Sequence, residues 1–98
     1  MSVDFSAVRP RLRDLCEKYG IAELYVFGSV ARGEDGPGSD VDFLYVLKPG
    51  SRIGLEFYDF QHELEVLIGR KVDVVSKTGL HWVIRDRILR EARVLHAA

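Results

Sequence analysis

Fifteen residues near the middle of the sequence hold the groups best suited to chemistry: Gly28-Ser29, ten intervening residues, then Asp40-Val41-Asp42. Alternate residues of a strand project to the same face, about 6.5–7 Å apart along the chain. Asp40 and Asp42 would therefore present two carboxylates together, at the head of the apolar run Phe43-Leu44-Tyr45-Val46-Leu47. Carboxylates held this close repel and raise each other's pKa unless a cation neutralises them. A few hard oxygen ligands suit Mg²⁺, which keeps waters and accepts phosphate oxygens at its other positions. A third carboxylate, Asp73, lies in Lys71-Val72-Asp73-Val74-Val75 and would be costly to bury without a partner. If that segment pairs beside the Asp40/Asp42 strand, three carboxylates on two strands can hold two metal ions about 3.5–4 Å apart. That arrangement serves in-line displacement at phosphorus.

Gly28-Ser29 supplies the complementary half. Glycine lets the backbone come close to a phosphate. The N–H groups that follow and the Ser29 hydroxyl can hold phosphate oxygens, with Arg32 adding charge. The lysine and spacing of a P-loop are absent. Taken singly, each feature has a plainer explanation. Gly28-Ser29 suits a turn, Asp42 and Asp73 suit strand residues facing water, and Arg32 suits a solvated surface arginine. The joint spacing favours a metal and phosphate site.

The elements that must position these residues are legible from periodicity. Phe5, Val8, Leu12, Leu15 and Tyr19 predict a helix over residues 4–19, stopped by Gly20, with Pro10 marking either an irregular first turn or the start of the regular helix. Leu24 to Phe27 and Val41 to Leu47 predict strands. A short helix through Arg32 and a loop at 33–39 come between them. A helix over 53–68 ends at Gly69, a third strand covers 71–75, and a last helix runs from Trp82 to about His96. In that last helix Ile84, Ile88, Ala92 and Leu95 share one face, and Asp86 with Arg90 and Arg87 with Glu91 form surface pairs. The expected fold is α/β, a small mixed β-sheet of about three strands covered by helices.

Bulk properties narrow the function. The 98 residues are expected to form a single domain, 1–98, with no second domain to bind an acceptor. Net charge is −1, so there is no global basic field and direct nucleic-acid binding is not expected. No apolar stretch is long enough to span a membrane, and no signal segment is visible. One cysteine, Cys16, cannot form an internal disulfide. A cytoplasmic location is expected. His62, His81 and His96 lack metal-site spacing and read as surface or cap residues, Cys16 as packing, and Trp82 as a core or partner-contact anchor.

Residues 28 to 42, GSVARGEDGPGSDVD, resemble the signature of the DNA polymerase β-like nucleotidyltransferase superfamily. Ala31-Arg32-Gly33 and Ser39 bring the chain closer to its minimal nucleotidyltransferase branch. So do the segments Leu64 to Ser76 and Ile88 to Ala92. The resemblance covers nearly the whole chain and implies a nucleotidyltransferase, polymerase β palm-like fold. It further implies that Gly28 and Ser29, with Arg32 and Ser39 nearby, hold ATP. Asp40 and Asp42 would bind two Mg²⁺ ions and Asp73 the catalytic one. Members of this branch are often antitoxins paired with a HEPN-domain toxin, and the implied reaction moves AMP from ATP to a tyrosine of that toxin. The alternatives are neutralisation by binding alone, or transfer to a small molecule or nucleic-acid end. The acceptor is expected to be completed by a partner chain or by self-association.

Overall fold

The computed structural model describes residues 3–36 and 38–97; Pro37, within the loop read at 33–39, lies outside them. Helix α1, Phe5–Tyr19, starts at Asp4, whose side chain accepts from the Ser6 amide. It ends at Gly20, whose positive φ lets its N–H reach the Cys16 and Glu17 carbonyls. The helix continues through Pro10, which is exposed, so neither an irregular first turn nor a start near Pro10 is seen. Strand β1, Ile21–Phe27, begins three residues before the apolar run that announced it, and leads directly into the short α2, Gly28–Arg32. Strand β2 is Val41–Leu47, α3 is Glu56–Ile68 and β3 is Val72–Ser76.

The last segment departs from expectation. Helix α4, Trp82–Glu91, stops five residues short of the expected end at His96, and Arg93–Ala97 form a fourth strand, β4. Ala92 and Leu95 fit the helical spacing, but β1 offers an open edge, and β4 pairs antiparallel along it. Leu95 still reaches the core, from a strand. The four-stranded sheet has the order β3-β2-β1-β4, with β1 antiparallel to both neighbours and β2 parallel to β3. The sheet is mixed, as expected, with one strand more.

The core fixes which way the acids face. Leu12, Leu15 and Cys16 of α1 and Phe60 and Leu64 of α3 cluster with Leu24, Val26, Val41, Phe43, Val72 and Val74 of the sheet. Since side chains alternate along a strand, Val41 and Phe43 facing this cluster send Asp42 to the opposite face. Val72 and Val74 do the same for Asp73. Leu44 and Ile88 are buried but stand outside the cluster. Helix α4 packs against α2 and β1 and leaves Trp82 79% exposed, so Trp82 is not a core residue.

Candidate active site

Asp42 is the centre of the site, because the sheet places partners on both sides of it. In the parallel pair Asp42 stands opposite Asp73. Neighbouring strands lie about 4.8 Å apart, so the two carboxylates project side by side from one face. In the antiparallel pair Asp42 stands opposite Phe27, the last residue of β1. Gly28 follows, buried and at φ 77°, against the Asp42 carboxylate: a Cβ there would lie 2.3 Å from Asp42 Oδ2. Glycine is therefore required twice, by backbone conformation and by space. Asp40 sits one residue before β2 and is exposed.

The electrostatics carry the same signature. Burial raises the Asp42 carboxyl above its ordinary range, and Asp73 and then Asp40 push it further; Arg32 opposes this and Glu91 adds to it. A half-buried carboxylate raised by two like charges is an anionic site wanting a cation. Among the described residues no three His, Cys, Asp or Glu side chains are grouped so as to hold a metal ion by themselves. An open array suits Mg²⁺, which is held by one or two carboxylates with waters and substrate phosphates completing its shell. Asp42 and Asp73, with Asp40 beside them, fit that ion.

The other expected residues are engaged within the protein. The Arg32 guanidinium is held by Glu34 at 2.7 Å and by Glu91 at 2.9 Å. Ser39 Oγ accepts from the Gly36 amide at 3.0 Å, bracing the loop before Asp40. Ser29 lies in the first turn of α2, where Phe27 provides no side-chain cap, and its carbonyl accepts from Glu34 N.

Sequence reasoning missed two residues. Glu91, read as a surface partner of Arg87, ends α4 with its side chain only 19% exposed and bonds to Arg32 near Asp42. Arg70 bonds to Asp35 and to the carbonyls of Gly36 and Ser39. Its place immediately after the Gly69 helix stop was the only hint in the sequence, since both partnerships join distant segments. A cavity of about 260 Å³ lined by Gly38, Ser39, Asp40, Gly69, Arg70 and Lys71 flanks the Asp40 side of the site.

A strand–turn–helix packs Gly28 against Asp42, and the parallel neighbour β3 supplies Asp73. The chain belongs to the nucleotidyltransferase domain family, whose profile matches residues 10–95, and within it to the minimal nucleotidyltransferases. It is similar to the protein adenylyltransferase MntA of Thermococcus cleftensis, with 39% identity over 81% of this chain and 79% of that protein. A chain solved as a candidate minimal nucleotidyltransferase is 38% identical, with a TM-score of 0.72 over 92% of this chain and 94% of its own. The same fold occurs in a complex of a tri-AMPylated HEPN toxin of Shewanella oneidensis with its antitoxin. There the TM-score is 0.68 at 13% identity, over 97% of this chain and 74% of that one.

Proposed function

We propose that this protein transfers AMP from ATP to a tyrosine hydroxyl of a HEPN-domain toxin and so acts as a cytoplasmic antitoxin. The observation that carries this reading is Asp42 flanked by Asp73 across β2/β3 and by Gly28 at the end of β1. The similarity to a protein adenylyltransferase supports a protein acceptor, and the shared fold of the toxin–antitoxin complex supports the type of partner.

In this mechanism Gly28 and Ser29 would hold the triphosphate, and Asp40, Asp42 and Asp73 would hold two Mg²⁺ ions. Bound there, Mg²⁺ would supply neutralisation of charge on the phosphates and a lowered pKa for the acceptor hydroxyl. The acceptor oxygen forms a bond to the α-phosphorus as the bond to pyrophosphate breaks, and Asp73, exposed like Asp40, takes the hydroxyl proton. Arg32, oriented by Glu34 and Glu91, contributes positive charge beside Asp42.

Incubation with α-labelled ATP, Mg²⁺ and the product of the neighbouring gene tests the reading. Label is expected on a partner tyrosine, and none with an Asp40→Asn/Asp42→Asn double variant. Absence of label with active, pure components sinks the catalytic reading. Neutralisation of the toxin by the double variant, in a stoichiometric complex, would show that binding alone suffices.

A further inference from the structure

Asp42 and Asp73 are placed by the sheet, since each lies inside a strand and each faces the other in register. Asp40 is not. It lies one residue outside β2, at the end of the loop that follows α2, so its position depends on what holds that loop.

The hold comes from across the sheet. Arg70, between the Gly69 cap of α3 and the start of β3, donates from Nη1 to Asp35 Oδ2 at 2.8 Å. Its Nη2 donates to the Ser39 carbonyl at 2.5 Å and to the Gly36 carbonyl at 3.3 Å. The Asp35 side chain is 2% exposed and that of Arg70 19%, so the pair is shielded from water, unlike an ordinary surface ion pair. The Val41 amide donates to the Lys71 carbonyl at 3.0 Å, closing the same junction from the next residue. One guanidinium thus joins the residue just before Asp40 to a point three residues before Asp73. A planar fork can serve several acceptors at fixed angles, which the single ammonium of a lysine cannot.

We propose that Arg70 is a positioning residue for the transfer site: by tying Asp35, Gly36 and Ser39 to the head of β3 it sets Asp40 against Asp42 and Asp73. This rests on the metal and nucleotide role given to those carboxylates above. In this role Arg70 acts through Asp40.

The test uses Mn²⁺ with a non-hydrolysable ATP analogue, read by the spin-resonance signal of free Mn²⁺, on the wild type, Arg70→Met and Arg70→Lys. Hydrogen exchange and thermal unfolding are followed on the same samples. Arg70→Met is expected to weaken Mn²⁺ binding by about tenfold or more, the usual loss when a group orienting a ligand is removed. Exchange at the Ser39 and Asp40 amides should speed up while Val74 and Val75 keep their protection. Arg70→Lys is expected to restore only part of the affinity. A folded Arg70→Met chain with wild-type Mn²⁺ affinity overturns the proposal. If that variant does not fold, Asp35→Asn is read the same way, and unchanged affinity there overturns it equally. A wild type that binds no Mn²⁺–nucleotide overturns the site itself and this inference with it, a result distinct from an indifferent variant.

Discussion

Replacing Gly28 by alanine separates the two demands made on that position. The added Cβ would fall 2.3 Å from Asp42 Oδ2, so the carboxylate must retreat by roughly 0.7 Å even to reach 3.0 Å. The residue must also hold φ 77°, a left-handed conformation that costs a non-glycine residue about 1–2 kcal/mol. For a domain of this size each kcal/mol lowers Tm by about 4–8 °C. Displacing a catalytic ligand by close to 1 Å costs about 100-fold in rate. Gly33 is the matched control: its φ is 73°, yet a Cβ there meets nothing within 4 Å. Gly33→Ala should therefore lose stability from backbone conformation alone and Gly28→Ala at least as much, while only Gly28→Ala loses AMP transfer, by about two orders of magnitude. Thermal unfolding and transfer of α-labelled AMP to the partner measure the two quantities on one preparation. Equal activity in the two variants, or a Gly28→Ala chain retaining more than about a third of wild-type rate, would refute the reasoning from close approach.

Asp42→Asn should raise Tm while abolishing transfer. The folded pKa of Asp42 is raised by burial and by Asp73 and Asp40, so its contribution to stability is present only while it is protonated and is lost as pH rises through that folded pKa. At neutral pH the ionised group opposes folding, and its neutral isostere removes that opposition; a lowered Tm contradicts this. MgATP at about a hundred times its Kd should stabilise the wild type by about 2.7 kcal/mol, and removing Mg²⁺ with chelator should cancel the shift, as should Asp42→Asn. Phe60 is fully buried beneath the sheet, so Phe60→Ala should cost about 3–5 kcal/mol, seen as a fall in denaturation midpoint. Cys16 is fully buried, with its thiol pushed up to about 12 by that burial. It should resist alkylation in the native protein and react only when denaturant opens α1.

The strand acids were legible because their signal is local. Asp42 and Asp73 each interrupt a β-favouring run with a carboxylate, and strand alternation sends each away from its apolar neighbours, whereas Asp40 lies outside the strand and alternation does not place it. Gly28-Ser29 was legible for the same reason, at the end of a strand. What pairs with what was not. Residues 92–97 satisfy a helical spacing that extends α4, and only the open edge of β1 makes them a strand. Arg32, Glu91 and Arg70 are ordinary surface types by composition. Their bonds span 59 residues for Arg32–Glu91 and 35 for Arg70–Asp35, distances that no local pattern encodes. Trp82 was read as a core or partner anchor, and exposure removes the first of those.

The central place of β2 has a consequence for when the protein becomes active. Its antiparallel partner, β1, is close in sequence, whereas its parallel partner, β3, returns only after α3 has crossed over. Local pairings form readily, and crossover pairings wait on the closure of a longer loop. A chain with β1 paired to β2 alone would have the two strands that bring Gly28 to Asp42 but would lack Asp73. Such a chain can be half assembled and still inert. The carboxylate pair is therefore complete only once α3 has packed and β3 has returned beside β2, so the crossover and the site are built together.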